Sequence, residues 1–476
     1  MTARSLSCYK QAMAAHTIRG MLSADELRKL VHAGEIETVL AVFPDLYGRL
    51  VGKRIIGHFF CDEILGDGMH ACDYLLACDM EMDPVPGYKF ASWSKGYGDI
   101  RCVPDMSTLR RATWLDRTAL VLCDVYEEAT DKLVSVAPRS ILKRQLEYAA
   151  AAGLEPKGGS ELEFFILRET YESAQRKGFD NLETFGWYVE DYHTLQGYKV
   201  EGLVGEIRRQ VDASGIPVEF SKGEWGPGQH ELNLRYANFL EMSDRHVIYK
   251  QAAKEIAIRQ GLAVTFMAKL GEEYAGNSMH LHSSLWSTDK GEAMFAAEQA
   301  DIVNGKLPDT CRWWLGGLMR HARACTLLFA PCVNSYKRYR AGSFAPTKIA
   351  WALDNRTVGF RMVGHGPSLR VECRMPGADA NPYLAFAATL AAGLDGLANR
   401  IEPPALFRGD AYSTQDLPAI PETLPEAIAE FESSHLFRQS FGDDIVEHLS
   451  HFARTEQRKF DETVTTWERR RFLERA

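Results

Sequence analysis

No pair of cysteines in the 476 residues stands in a C-x-x-C arrangement; the ten cysteines are scattered at 8, 61, 72, 78, 102, 123, 311, 325, 332 and 373. A chain of this length needs no disulfide staples, so the thiols read as reduced and the protein as cytoplasmic. No run approaches the ~18 uninterrupted apolar residues of a membrane span. The most apolar stretch, Tyr383 to Leu394, contains Thr389 and ends at Asp395. Long Lys/Arg runs are missing too, and 64 acidic against 55 basic side chains leave a net charge of -9, which excludes a general nucleic-acid binder. There is no low-complexity block, no internal repeat and no signal-peptide hydrophobic region. The first acid is Asp25, and Arg4, Lys10 and Arg19 resemble a transit peptide only faintly, so a loosely ordered tail is expected. With 46% apolar and 25% charged residues, the composition is that of a soluble globular protein.

Ser23-Ala24-Asp25-Glu26 is a capping-box pattern that opens a short amphipathic helix through Leu27, Leu30 and Val31. Thr38–Phe43 and Leu50–Ile56 flank the turn Pro44-Asp45-Leu46-Tyr47-Gly48 and predict a hairpin. Cys72 to Asp105, rich in Asp, Gly, Pro and aromatics, is expected to be irregular, and Ala119–Tyr126 to be a buried strand. Glu127 to Ala137 reads as a linker; Pro138 begins a helix that ends near Gly153. Long helices are expected over Met242–Gln260 and Trp313–Leu328. The organisation is therefore an N-terminal tail and helix over 1–34, a smaller α+β domain over 35–130, and a large α+β domain over 138–476.

Four segments carry the chemistry. In Gly159-Ser160-Glu161-Leu162-Glu163-Phe164, strand alternation puts Glu161 and Glu163 on one face; the alternative is a solvated outer face. Glu224-Trp225-Gly226-Pro227-Gly228-Gln229-His230-Glu231 can fold back so that Glu224 and Glu231 converge, or be an ordinary turn with exposed acids. Met279 to Trp286 places His280, His282, Ser284 and Trp286 opposite an apolar face, where buried structural histidines are the competing reading. Leu369 to Arg374 aligns Arg370, Glu372 and Arg374, with Arg356 and Arg361 nearby, either for a ligand or as a salt-bridge ladder. Together, five glutamates with one or two histidines suit Mg²⁺ or Mn²⁺ better than Zn²⁺ or copper. The arginines suit a polyphosphate. Gly271 to Ser278 lacks the lysine of a P-loop, so a nucleotide must be held through metals and arginines.

These residues are in motifs that resemble the glutamine synthetase superfamily from about Thr38 to Leu397: Asp45-x-x-Gly48, Gly159-x-Glu161-x-Glu163-Phe164, Gly226-Pro227-Gly228-Gln229-x-Glu231, Met279-His280-x-His282, Asn334-Ser335-Tyr336-Lys337-Arg338, Asn355-Arg356, Glu372-x-Arg374 and Asn381-Pro382-Tyr383. The resemblance implies an N-terminal β-grasp-like domain, a C-terminal catalytic domain and two stacked hexameric rings with active sites between neighbouring subunits. It implies one metal at Glu163, Glu224 and Glu231 and another at Glu161, His280 and Glu372. His282, Ser284, Tyr236, Arg361, Arg370 and, more weakly, Glu219 fall where the family contacts ATP; Arg338, Arg356, Arg374 and Gly276 fall where it holds glutamate. The implied reaction is phosphorylation of the γ-carboxylate of L-glutamate by ATP, followed by attack of a nitrogen nucleophile.

The chain departs from the ammonia-using members at Phe344, where those proteins carry a glutamate. A phenyl ring cannot take the proton of ammonium as a carboxylate does. The segment resembles the branch that joins glutamate to organic amines, and a mono- or aromatic amine is favoured over a polyamine. Asp45 is the expected base for a protonated alkylamine, and Tyr88 to Tyr97 is a candidate pocket lining. An authentic glutamine synthetase using ammonia and a non-catalytic assembly are the alternatives.

Overall fold

The computed structural model describes residues 18–476; the tail expected at the N-terminus lies, over 1–17, outside the described residues. The Ser23 hydroxyl accepts from the Glu26 amide at 3.2 Å and the Glu26 carboxylate accepts from the Ser23 amide at 2.8 Å, closing the capping box of helix Ala24–His32. The strands fall into two sheets. The first joins β1 (Thr38–Pro44), β2 (Leu50–Ile56), β3 (Met69–Cys72), β4 (Asp99–Pro104), β5 (Arg110–Arg111) and β6 (Thr118–Glu127) in the order β2-β1-β6-β4-β3, with β5 also on β6. β1 and β2 form the expected hairpin, and β1 runs parallel to β6. Cys72 to Asp105 is not wholly irregular: β4 pairs with both β3 and β6, because Ile100, Cys102 and Pro104 alternate inward.

The second sheet is built on the 14-residue β7 (Leu154–Leu167). Its other strands are β8 (Val218–Gly223), β9 (Gln229–Leu234), β10 (Ala237–Asn238), β11 (Ala263–Thr265), β12 (Met279–Ser287), β13 (Trp351–Leu353), β14 (Phe360–Val363) and β15 (Arg370–Cys373). The path runs β13-β14-β15-β12-β7-β9-β8, with β10 and β11 also on β7. Helices back this sheet. Pro382–Ala398 is buried along most of its length, as a nearly all-round apolar helix must be, and Phe239–Arg259 is largely buried although it carries several charged residues, Asp244 among them. Helix Asp309–Phe329 packs on Pro382–Ala398 through Gly317 and Gly396. A β-carbon on Gly317 would stand 2.1 Å from the Ala392 carbonyl oxygen, so only glycine permits this approach. Among the described residues no helix is long and apolar enough to cross a membrane.

One guanidinium ties the two sheets together. Arg139, at the start of helix Pro138–Ala151, donates to both oxygens of Asp244 at 3.1 and 3.0 Å, to Asp105 at 2.7 Å and to Asp124. Asp124 lies on β6 and Asp105 just after β4, whereas Asp244 belongs to helix Phe239–Arg259 and also accepts from the Tyr383 hydroxyl at 2.6 Å. At the other end of the first sheet, His448 of helix Asp443–Asp461 contacts the Leu76 carbonyl at 2.9 Å and packs on Tyr88.

Removing one partner of a buried ion cluster strands the others. Arg139→Met is therefore expected to lower unfolding stability by roughly 3–5 kcal/mol, measured by urea denaturation; a loss below about 1 kcal/mol would show that the clamp carries no such load. Burial holds the His448 imidazole down at about 4. The unfolded ring takes up a proton near pH 6.5 and the folded one resists it, so stability is lost as pH falls from 6.5 towards 4, by up to about 3 kcal/mol. His448→Gln should flatten that slope in the same titration.

Candidate active site

Register brings the charged residues together. On adjacent strands Arg361 lies opposite Glu372, Glu372 opposite His282, and His282 opposite Gly159. In the next row His280 faces Glu161, which faces Asn233; in the row beyond, Glu163 faces Glu231, which faces Lys222. Glu161, Glu163, His280, His282 and Glu372 were legible as strand-borne. The neighbour relations across β7, β9, β12 and β15 turn five dispersed glutamates into two sets.

In the first set, carboxylate oxygens of Glu163, Glu224 and Glu231 lie within 4.8 Å of one another. Glu163 accepts from the Ser278 amide at 2.7 Å, and Glu231 from Asn233 at 2.6 Å. Burial, then the Glu224 charge, pushes the Glu163 carboxyl up to about 8. Burial and the charges of Glu161, Glu224 and Glu163 push Glu231 well above its ordinary value. Lys222 lies in this set, ion-paired with Glu224 and 4.5 Å from the Tyr192 ring centre. Sequence reading missed Lys222, although its place two residues before Glu224 on an alternating strand was a usable signal.

The second set is Glu161 and Glu372 with both histidines. His282 Nε2 is 2.8 Å from Glu161, and oxygens of Glu161 and Glu372 and a His282 nitrogen are mutually within 4.8 Å. His280 Nδ1 lies 3.1 Å from Glu161 and 3.7 Å from Glu372. The tautomers separate the two rings. Arg370 Nε donates to His282 Nδ1 at 3.1 Å, so that nitrogen holds a lone pair and the ring proton sits on Nε2, facing Glu161. His282 in this state offers no free lone pair to a metal; His280 Nδ1, facing two carboxylates, carries its proton by the same rule, but its buried Nε2 has no hydrogen-bond partner, which leaves His280 the better candidate ligand. Burial opposes ionisation of Glu161, yet His282 and His280 hold it well below its ordinary value. Glu372 is likewise held at about 2 against burial, by Arg374 first and then His280. Arg361 and Arg374 both pair with Glu372.

Around these sets, Ser284 is on β12 and contacts the Trp286 indole at 3.3 Å. The Tyr236 and His282 β-carbons lie 3.9 and 4.0 Å from where a Gly159 side chain would begin. Gly276 lets Arg338 close in: a β-carbon there would meet Arg338 Cγ at 2.3 Å. Arg338 is buried and donates to Ser278 at 3.1 Å and to the Met375 carbonyl. Gln229 Nε2, also missed as a site residue, donates to the Gly276 carbonyl and to Asn277 Oδ1, both at 2.9 Å.

Other expected residues lie apart from the sets within one chain. Glu219 is exposed at a bulge in β8, and Arg356 is exposed on the turn after β13. Asp45 sits in the β1–β2 turn, where its carboxylate accepts from the Tyr47 amide at 2.9 Å, the Arg49 amide at 2.8 Å and Arg49 Nε at 2.6 Å; burial nonetheless raises it. Tyr88 packs on His448 and His451 of helix Asp443–Asp461, whereas Tyr97 packs on Tyr74 and Trp93, and Trp93 is exposed. Phe344 meets Trp225 edge to face, ring centres 5.6 Å apart.

The donor set fits divalent cations. Three carboxylates balanced by a single lysine leave the first set acid-rich, and hard oxygens with one imidazole are a magnesium or manganese environment. Residues 135–472 match the glutamine synthetase catalytic-domain family. The chain is 46% identical over 454 residues (95% of it, 96% of the relative) to the γ-glutamylethanolamide synthetase GlnA4 of Streptomyces coelicolor. It is 32% identical over 452 residues (94% and 97%) to a glutamate–isopropylamine ligase of a Pseudomonas species. It is 34% identical over 467 residues (95% and 100%) to the glutamine synthetase of Thermotoga maritima. Two solved structures of GmaS, one without ligand and one with ADP, superpose with TM-scores of 0.80 and 0.81 at 28% identity, covering 94% of this chain and 98% and 99% of theirs. Two charged sets on one sheet and full-length similarity of this kind lead to one conclusion: the chain belongs to the glutamine synthetase family, in the branch that holds the γ-glutamyl-amine ligases.

Proposed function

We propose that this protein is an ATP-dependent ligase that joins the γ-carboxylate of L-glutamate to a small primary monoamine, giving a γ-glutamyl amide, ADP and phosphate. The observation that carries the reading is Phe344, an apolar ring seated on Trp225 next to Glu224. The names of the two relatives, one an ethanolamide synthetase and one an isopropylamine ligase, favour a small aliphatic amine over a polyamine or an aromatic amine. Glutamine synthesis from ammonia is the second reading, favoured by the Thermotoga relative and opposed by the missing acid at 344. The division into a domain over 35–130 and a catalytic domain over 138–476 belongs to the same proposal, supported by the two sheets and by a family match that begins at residue 135. So do the dodecamer of two hexameric rings, which follows the family, and a cytoplasmic location, which follows the cysteine usage.

In this reading Glu163, Glu224 and Glu231 hold one divalent cation, and Glu161, His280 and Glu372 another. When bound, Mg²⁺ or Mn²⁺ would neutralise the phosphates of ATP and the charge that develops during phosphoryl transfer. Arg361 and Arg370 sit beside Glu372 and His282, where an anionic nucleotide adds to the arginines' existing partners. Tyr236, His282, Ser284 and Glu219 remain the candidate ATP contacts. Arg338, Arg374, Arg356 and the Gly276 loop orient glutamate so that a γ-carboxylate oxygen attacks the γ-phosphorus of ATP and ADP departs. The amine nitrogen then attacks the acyl carbon, the C–O bond to phosphate breaks, and the ammonium proton is lost. The segment 334–346, anchored by Arg374 to the Phe344 carbonyl at 3.3 Å and by Tyr412 to the Ala345 carbonyl at 2.9 Å, shields the acyl phosphate from water. Asp45 serves as base only if a neighbouring subunit presents it to the site, because within its own chain it is held on the other sheet.

Phosphate release with a panel of amines tests the reading: the highest kcat/KM should belong to a small alkylamine, and a maximum with ammonium would refute it. Phe344→Glu should raise kcat/KM for ammonium about tenfold and depress it for alkylamines, since a carboxylate can attract and deprotonate ammonium. Binding of Mn²⁺ at pH 7 should release about one proton per site and tighten as pH rises towards 8, because the Glu163 carboxyl titrates near 8 without a metal. Calorimetry in two buffers of unlike ionisation enthalpy measures this, and equal heats would exclude it.

A further inference from the structure

Trp225 follows Glu224 in the turn between β8 and β9, and Phe344 lies in the segment 334–346. Their rings meet at 63°, yet Trp225 remains 53% and Phe344 48% exposed. Rings recruited only to fill a core would be covered. Phe344 also has φ of +61°, a left-handed conformation that a bulky residue holds only where its surroundings impose it. The imposing contacts are Arg374 on its carbonyl and Tyr412 on that of Ala345. Arg374 simultaneously pairs with Glu372. The ring pair is thus fastened at one end to the first acid set through Glu224 and at the other to the second through Arg374 and Glu372.

We infer that Trp225 and Phe344 act as one recognition element that selects the carbon chain of the amine, not its nitrogen. The inference rests on the ligase reading above. Its chemistry follows from what the rings lack. Neither can accept a hydrogen bond from an ammonium through a lone pair, and the only polar atom of the pair, Trp225 Nε1–H, is a donor. What they offer is exposed apolar area beside charged groups, a surface on which methylenes leave water while the amino group faces the carboxylates. Trp225 is accordingly a specificity residue, placed by its covalent neighbour Glu224 and completed by Phe344 when the segment is seated.

The test is steady-state phosphate release with saturating ATP and glutamate and a series of nucleophiles: hydroxylamine, methylamine, ethylamine, propylamine and butylamine. In the wild type, kcat/KM should rise about two- to fourfold per methylene, the gain expected from burying one CH₂. In Trp225→Ala and in Phe344→Ala the rise should collapse to near unity, read in each variant as the ratio of every amine to hydroxylamine, which has no carbon, whatever the absolute rate. The double variant should be no flatter than either single one, because the rings work as a unit. A wild-type series without slope, a slope that survives Trp225→Ala, or a loss for hydroxylamine equal to that for butylamine would overturn the inference and leave ligase activity intact. Turnover with ammonium and with none of the amines would refute the ligase reading itself, and the inference with it.

Discussion

Like charge held at strand spacing is the constraint on which the rest of the site depends. Neighbouring strands lie about 4.8 Å apart, and the register of β7 against β9 and β12 sets Glu163 beside Glu231 and Glu161 beside His280. No arrangement of side-chain rotamers relieves this crowding, because the backbone ladder imposes it. The two sets resolve it differently. Glu161 and Glu372 are surrounded by two imidazoles and three guanidiniums, which keep them ionised although buried. Glu163 and Glu231 have Lys222 as their ion-paired neighbour through Glu224, and burial with mutual repulsion pushes both carboxyls up. One set is electrically complete in the protein alone, whereas the other is left short of positive charge on a sheet face otherwise stabilised by its core.

Much of this was legible in the sequence. Alternation identified the strands that carry Glu161, Glu163, His280, His282 and Glu372, and Pro138, Ser23 and Asn381 each stand at a helix start. Which strand lies beside which was not legible from periodicity, since a period of two names the face but never the neighbour. That is why Lys222 escaped notice: its meaning comes from facing Glu231 across the ladder. Asp45, Glu219 and Arg356 stand on a turn of the first sheet, a bulge and an exposed turn, positions on which a site between neighbouring subunits can draw. Within the aromatic stretch Tyr88 to Tyr97, Tyr88 is committed to packing while Trp93 stays exposed. A run of rings suggests a pocket, but packing against His448 and His451 had first claim on Tyr88.

The acid sets do not by themselves mark the branch to which the chain belongs. The acid sets and their arginines are compatible with glutamine synthetases at 34% identity as well as with amine ligases at 46% and 32%. At the rim of the proposed site Phe344 keeps a backbone conformation that glycine would adopt more cheaply. Machinery for activating a carboxyl group is thereby separated from the surface that chooses what attacks it.

The grip of Arg139 has a consequence for motion. A hinge opening between the two sheets would have to part its contacts with Asp105 and Asp124 on one side from those with Asp244 on the other, exposing several desolvated charges together. The sheets are therefore confined to moving as a single rigid frame. Any gating that accompanies turnover must be local to the loops that border the acids, with a travel of a few side-chain lengths and no swing of one half of the molecule against the other.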